Sequence, residues 1–139
     1  MNMNSSKLEN VNKILKSGLK RPIIIEDINV ESFNGAVVID AKIEREKVAV
    51  LPTNNGFQIP EWINQLKLKK EQNQRLVLVI NCLDSVDKLE QEKFYELLKF
   101  NGVSGLLLPE NTKIIITIKK GGFEKISRRI QSLCLFYKG

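Results

Sequence analysis

The sequence predicts a three-layer α/β domain built on a mainly parallel sheet of about five strands. Short apolar runs rich in β-branched residues recur along the chain without polar alternation, which is typical of strands buried on both faces of a parallel sheet. Helical patterns lie between these runs, and this alternation favours a parallel sheet with helices on both faces. At 139 residues with 42% apolar content, the chain has room for one core, so we expect a single domain over residues 1–139.

The first element is an expected helix within residues 1–18. Ser6-Lys7-Leu8-Glu9 has the pattern of a capping box. Leu8, Val11, Ile14 and Leu15 follow at helical spacing, and Gly18 offers a stop. The β-branched run at residues 22–25 then predicts the first strand.

Residues 19–74 form the first half of the predicted domain. Two apolar runs, at 36–39 and 48–51, are separated by a charged stretch, and we expect them to pair as a hairpin. Residues 52–60 are typical of a loop. Pro60 suits the first turn of a helix whose apolar side carries Trp62, Ile63 and Leu66.

Residues 75–139 form the second half. The run at 76–80 is the strongest strand signal, and Asp84 or Ser85 would cap a following helix that extends to Lys99. That helix is predicted to direct five apolar side chains towards the core: Val86, Leu89, Phe94, Leu97 and Leu98. A strand at 113–118, a break at Gly121-Gly122, a short helix at 123–130 and a closing strand at 133–137 complete the prediction.

The composition excludes several classes of function. There is no histidine, and the two cysteines, Cys82 and Cys134, each lie in an apolar run typical of a buried strand or strand end. We therefore expect free core thiols, no zinc or other metal site and no histidine-dependent acid–base catalysis. No apolar run approaches the roughly 20 residues of a membrane span, and the polar start lacks a secretory signal, so a soluble, cytoplasmic protein is expected.

Residues 75–139 resemble the second half of a AAA+ ATPase core. In that family an apolar strand ending in Asp-Glu is followed by a helix, a Leu-Pro-Glu-Asn-like loop, a strand ending in Thr and Asn, and a helix with arginine before a last strand. The matching segments here are 76–82, 85–99, 108–112, 114–117 and 126–136. The phrase Ile126-Ser127-Arg128-Arg129 is especially similar to the arginine-bearing helix of clamp-loader subunits.

The departures from this family pattern concern its ATPase chemistry. A phosphate-binding loop needs glycines and a lysine after the first strand, whereas residues 26–31 read Glu-Asp-Ile-Asn-Val-Glu. Asn81 and Cys82 align with the family's metal-organising aspartate and water-activating glutamate, and neither replaces them chemically. Lys119 or Ile118 stands where the sensor strand is followed by asparagine. The resemblance thus implies a degenerate member that is not an enzyme and holds no cofactor.

What such a scaffold would do instead is also implied by the resemblance. We expect a partner-binding or regulatory module that acts on a competent ATPase in DNA replication or a phage-related process. Arg128 or Arg129 would then insert into the partner's nucleotide site as a finger. The alternative is nucleic-acid binding, because the net charge of +6 suits an anionic partner.

The candidate contacts for either partner lie in the basic C-terminal region. They are Lys119, Lys120, Arg128 and Arg129. Gly121 and Gly122 would let the backbone approach a phosphate. The alternative interpretation is structural, because an ordinary solvent-exposed segment near the end of a chain often carries such charges.

Two further groups of residues have both a structural and a functional interpretation. Trp62 is expected to pack in the core, but if exposed it would anchor an interface together with Phe57. Asp84, Asp87 and Glu90 are expected to be a cap and first-turn acids, although a carboxylate site for an enzyme of unrecognised chemistry would lie at the same strand end.

Overall fold

The computed structural model describes residues 3–16, 18 and 20–138. The helices are α1 Met3–Lys16, α2 Arg45–Val48, α3 Glu61–Glu71, α4 Lys88–Gln91, α5 Tyr95–Phe100 and α6 Arg128–Gln131. The strands are β1 Ile23–Glu26, β2 Val37–Asp40, β3 Leu51–Thr53, β4 Gly56–Gln58, β5 Val77–Asn81, β6 Gly102–Val103, β7 Leu106–Leu107, β8 Lys113–Ile118 and β9 Leu135–Tyr137.

A five-stranded parallel sheet forms the centre of the molecule, in the order β2-β5-β8-β1-β9. The three inner strands consist almost entirely of buried residues, which explains their unbroken apolar sequences. The α/β fold with its parallel sheet is confirmed, and it is consistent with the three-layer α/β/α architecture of P-loop proteins.

The two faces of the sheet have separate apolar cores. On one face α1 contributes Val11 and Leu15, which belong to a cluster with Ile25 of β1 and Val79 of β5. The larger core on the other face contains side chains from α3, α5 and α6. Trp62, Ile63 and Leu66 all belong to it, so the predicted apolar side of α3 is confirmed.

The N-terminal helix starts earlier than its sequence pattern indicates. It begins at Met3, so Ser6 lies within the helix and the predicted capping box is wrong. It ends at Lys16, shortly before Gly18, whose positive φ of 82° marks the predicted stop. Residues 1, 2 and 17 of the predicted helical segment lie outside the described residues.

The expected hairpin between residues 36–39 and 48–51 is wrong. Strand β2 instead pairs in parallel with β5, and Arg45–Val48 forms a helix. The local hairpin is β3–β4, and all of it except Leu51 lies in the stretch expected to be a loop. The short Asn54-Asn55 connection closes this hairpin at a small entropic cost, whereas the β2–β5 pair depends on burial of the Val37 and Ile39 side chains.

The helix expected between Asp84 and Lys99 is broken into short pieces. A 3-10 turn, Leu83–Ser85, follows β5, and α4 starts only at Lys88 with Asp87 as its cap. Asp87 Oδ1 accepts the N–H of Glu90 at 2.8 Å, so the predicted cap at Asp84 or Ser85 is wrong. This start places Leu89 in the solvent, with 77% of its surface exposed, contrary to its predicted core position.

The C-terminal third follows the prediction more closely. Strand β8 has the predicted bounds, and Phe94, Leu97 and Leu98 are buried as expected. The helix expected at 123–130 is a 3-10 turn, Gly122–Lys125, followed by α6, which Ser127 caps. Within the described residues, no helix is both long and apolar enough to cross a membrane.

Candidate functional site at the carboxyl edge of the sheet

The chain leaves neighbouring strands β1 and β8 towards opposite faces of the sheet. After β1, Ile28 and Phe33 pack in the core that contains α1. After β8, Phe123 and Ile126 pack in the core on the other face. The carboxyl ends of β1 and β8 therefore flank a topological switch point, which is where open α/β sheets bind ligands.

A cavity of about 300 Å³ opens at this switch point. Its lining residues come from the ends of β1, β5 and β8: Asp27, Ile28, Asn29, Asn81, Cys82, Thr117, Ile118 and Lys119. Asn81 and Cys82, which the AAA+ resemblance aligns with catalytic positions, and the candidate contact Lys119 are thus brought together. We call this cavity the switch-point cavity.

The end of β1 carries carboxylates in place of a phosphate-binding loop. Glu26 is buried, and its Oε2 accepts the N–H of Gly121 at 3.2 Å. Asp27 has a positive φ of 58°, and its N–H donates to the carbonyl of Ile118 at 2.9 Å. The backbone after β1 is therefore tied to β8 and does not curl into a cradle of free N–H groups.

Asn81 and Cys82 take part in a neutral hydrogen-bond chain. The N–H of Cys82 donates to Thr117 Oγ1 at 2.9 Å. The Thr117 hydroxyl in turn donates to Asn81 Oδ1 at 2.7 Å. Thr117 is only 2% exposed, so its hydroxyl is satisfied within the protein, and the chain fixes the end of β5 against β8.

The buried carboxylate of Asp84 contacts the loop after β8. Its Oδ2 accepts the N–H of Lys119 at 3.1 Å, and its Oδ1 is buried with no hydrogen-bond partner among the described residues. A Cβ at Gly122 would lie 2.2 Å from Asp84 Oδ2. Gly122 is therefore needed for the close approach of a carboxylate from within the chain.

These contacts occupy the amides that were expected to approach a phosphate. The N–H groups of Lys119, Gly121 and Gly122 donate to Asp84, to Glu26 and to the carbonyl of Lys119, respectively. None of the three is left for a phosphate. The side chains of Lys119 and Lys120 remain exposed.

The two candidate arginines are not equivalent. Arg129 forms an ion pair with Glu92 at 2.8 Å and lies over the ring of Tyr95, with Cζ 3.9 Å from the ring centroid. Hydrogen bonding by Arg129 lowers the pKa of Tyr95 below its ordinary 10.0. Arg128 is exposed, and its side chain has no hydrogen bond or ion pair to any described residue.

The remaining predicted residues lie apart from the switch-point cavity. Trp62 is buried, and its Nε1–H donates to the carbonyl of Lys47 at 3.1 Å, which confirms the core interpretation. Phe57, on β4, is 76% exposed. Asp87 caps α4, and Glu90 pairs with Lys93 at 3.4 Å. The contacts of these two acids are therefore local to α4, whereas Asp84 contacts the β8 loop.

Glu26 and Thr117 shape this edge but were not singled out as site residues by sequence reasoning. Both lie inside or at the end of β-branched runs, where the pattern indicates only a strand. A polar residue at the carboxyl end of such a run was the available signal. Within the described residues, no three His, Cys, Asp or Glu side chains are grouped to hold a metal ion.

The fold and this edge together define an α/β protein with a parallel, P-loop-like sheet. At its carboxyl edge, internal carboxylates accept loop amides beside a neutral hydrogen-bond chain. No protein-family model matches the chain, and no curated protein matches it.

Proposed function

We propose that this chain is a non-catalytic AAA+-like module that acts by binding a protein partner. One observation carries the proposal: the backbone N–H groups of Lys119 and Gly121 donate to the internal carboxylates of Asp84 and Glu26. P-loop proteins hold phosphates at this edge of the sheet with free N–H groups of the loop after the first strand. Here Glu26 ends that strand, and the carboxylates of Glu26 and Asp84 accept amides of the neighbouring β8 loop, so these amides are not free to hold an anion.

Electrostatics at the switch-point cavity support the same proposal. Asp27 and Lys119 are the charged side chains among the described residues that line the cavity, and the buried carboxylates of Glu26 and Asp84 accept N–H groups of the adjoining β8 loop. These carboxylates disfavour a nucleoside triphosphate, most strongly where water is excluded. Asn81 supplies no charge for Mg²⁺, and its side-chain oxygen already accepts from Thr117.

Arg128 is the proposed contact to the partner. It is exposed on α6 with no internal ion pair, whereas Arg129 is held by Glu92 and Tyr95. A free guanidinium on a short helix suits insertion into the nucleotide site of a competent ATPase. The similarity of Ile126-Ser127-Arg128-Arg129 to clamp-loader subunits makes replication and phage ATPases the first partners to test.

Calorimetric titration with ATP and Mg²⁺ tests the non-catalytic part. We expect no heat of binding and no release of phosphate. Micromolar binding or turnover would refute it.

Co-purification with a candidate ATPase tests the partner part. Arg128→Glu is expected to abolish binding and any effect on the ATPase rate, while Lys70→Glu, at an exposed position of α3, serves as the charge-matched control. If Arg128→Glu and Lys70→Glu behave alike, Arg128 is not the contact.

Nucleic-acid binding is a second candidate, favoured by the unpaired charges of the C-terminal region. Lys119, Lys120, Lys125 and Arg128 are exposed, and none forms an ion pair with a described residue. Binding through these residues would be independent of base sequence and would weaken steeply with salt. Titration of a labelled single strand at two salt concentrations tests this, and affinity unchanged by salt or by Lys119→Glu would exclude it.

A further inference from the structure

Strand β2 is an open edge of the main sheet. It pairs with β5 on one side, and no described strand lies on its other side. The N–H of Ala41 donates to the carbonyl of Asn81 on β5. Because backbone groups of successive strand residues point to alternate sides, the N–H groups of Val38 and Asp40 and the carbonyl of Val38 point outwards.

This edge carries no lysine, proline or bulge that would prevent pairing with another chain. Native edge strands are commonly blunted by lysine, proline or a bulge. Strand β2 has the sequence Val-Val-Ile-Asp and shows no bulge in its pairing with β5. Val38 is 47% exposed on it.

A groove of about 500 Å³ runs beside the outer edge of β2. One wall is β2 itself, and the other comes from residues 43–49 and 58–65. Apolar side chains from both walls line it: Val38, Ile39, Ile43, Ala49, Ile59, Pro60 and Trp62. We call it the β2 groove.

The β2 groove is acidic on a protein that is basic overall. Asp40, Glu46 and Glu61 line it together with one lysine, Lys47, while the whole chain carries +6. None of the three carboxylates forms an ion pair with a described residue. The lining of the groove thus carries a net negative charge, which favours a cationic occupant.

We propose that the β2 groove binds an extended basic segment of a partner protein, which adds to the sheet as a further strand beside β2. The outward backbone groups of Val38 and Asp40 would supply main-chain hydrogen bonds. The apolar walls would take alternate side chains, as in other cases of β-strand addition. Lysine or arginine at the intervening positions would meet Asp40, Glu46 and Glu61.

This proposal rests on the proposed function only in requiring a protein partner, and it concerns a different surface from Arg128. The β2 groove lies at the β2 end of the sheet, whereas α6 immediately precedes β9, the strand at the opposite edge. The two contacts are therefore separable by mutation.

Two synthetic peptides test the charge preference of the β2 groove. One alternates lysine with valine over seven residues, and the other has glutamate in place of each lysine. Trp62 is the sole tryptophan and lines the groove, so its fluorescence reports occupancy directly. We expect the lysine peptide to bind and the glutamate peptide to bind at least about tenfold more weakly.

A third and a fourth peptide carry N-methyl groups on one or the other alternate set of amides of the lysine peptide, which leaves its charge unchanged. One of these two peptides is expected to lose binding and the other to keep it, because only one set of amides faces β2. Hydrogen exchange at the Val38 and Asp40 amides should slow when the unmodified lysine peptide is added. Equal binding of all four peptides, or no binding of the lysine peptide, would overturn the proposal.

Variants of the protein locate the contact. The double variant Glu46→Lys with Glu61→Lys is expected to bind the lysine peptide at least about tenfold more weakly than the parent protein does. The matched control, Glu71→Lys with Glu96→Lys, changes the same number of exposed acids away from the groove and should leave affinity within about twofold. Equal effects of the two pairs would refute the location.

Sedimentation of the free protein tests whether a second copy is the occupant. Self-association that the Glu46 and Glu61 changes abolish would overturn the assignment to a partner protein. Failure of the peptides to bind leaves the ATP titration and the Arg128→Glu result unaffected, so failure of this proposal is distinguishable from failure of the proposed function.

Discussion

Gly122 lies so close to Asp84 that any side chain at position 122 would collide with the buried carboxylate. A Cβ there would lie 2.2 Å from Oδ2 and 2.8 Å from Cγ of Asp84. The same Oδ2 accepts the N–H of Lys119. The position of the β8 loop thus depends on a glycine and an aspartate that are far apart in the sequence.

Gly122→Ala is therefore expected to destabilise the protein by about 1–3 kcal/mol, because Asp84 has to move and the Lys119 hydrogen bond is strained or lost. Chemical denaturation measures the change. In the Asp84→Ala background the same substitution should cost less, since the collision is relieved. Additive effects in the double variant would show that the contact does not limit position 122.

Leu89 and Leu97 should respond very differently to truncation. Leu97 is fully buried, so Leu97→Ala is expected to cost about 2–5 kcal/mol. Leu89 is 77% exposed, and Leu89→Ala should change the free energy of unfolding by less than about 0.5 kcal/mol. Thermal or urea unfolding of the two variants checks this. A large decrease in the free energy of unfolding for Leu89→Ala would show that Leu89 is buried, as the sequence indicated.

The pKa of Tyr95 should distinguish the two arginines of α6. Hydrogen bonding by Arg129 lowers that pKa, and the positive charge of Lys99 acts in the same direction. Arg129→Gln should therefore raise the pKa of Tyr95 towards 10.0, while Arg128→Gln should leave it unchanged. Ultraviolet titration in a Tyr137→Phe background isolates the signal, and identical titrations would contradict the division of roles between Arg128 and Arg129.

The two cysteines should differ in reactivity towards a thiol reagent. Burial raises the pKa of Cys134 to about 12 from its ordinary 9.0, and nearby Arg21 offsets this only in part. Because the thiolate is the reactive form, Cys134 should stay unmodified at pH 8 in the folded protein. Cys82 is partly exposed, so we expect one thiol to react before unfolding and two afterwards.

The same shift has a consequence for stability at high pH. The folded-state pKa of Cys134 lies above the unfolded value, so burial of the neutral thiol contributes fully below about pH 9 and this contribution is lost as the pH rises towards 12. A Cys134→Ala variant should lose less stability over that window than the parent protein. Parallel losses in both proteins would exclude a contribution from this thiol.

Much of the sheet could be predicted because its inner strands carry their own signal. The run at 76–80 is apolar throughout, and four of the six residues at 113–118 are isoleucine. Such short, β-branched segments are typical of a buried strand. The absence of a phosphate-binding loop after β1 could also be predicted, since residues 26–31 contain neither glycine nor lysine. These features depend on residues adjacent in the chain.

Contacts between distant segments were decided only by the tertiary structure. Strand β2 pairs with β5 across the helix and hairpin between them, and no local pattern distinguishes that pairing from a hairpin. The sequence placed Asp84 at a helix cap, yet its carboxylate contacts the β8 loop. Arg128 and Arg129 are neighbours of one type, and the sequence by itself determined only that two positive charges lie here. Which of them is free was decided by the position of Glu92 and Tyr95 in space, because an ion pair depends on distance through space and not on separation along the chain.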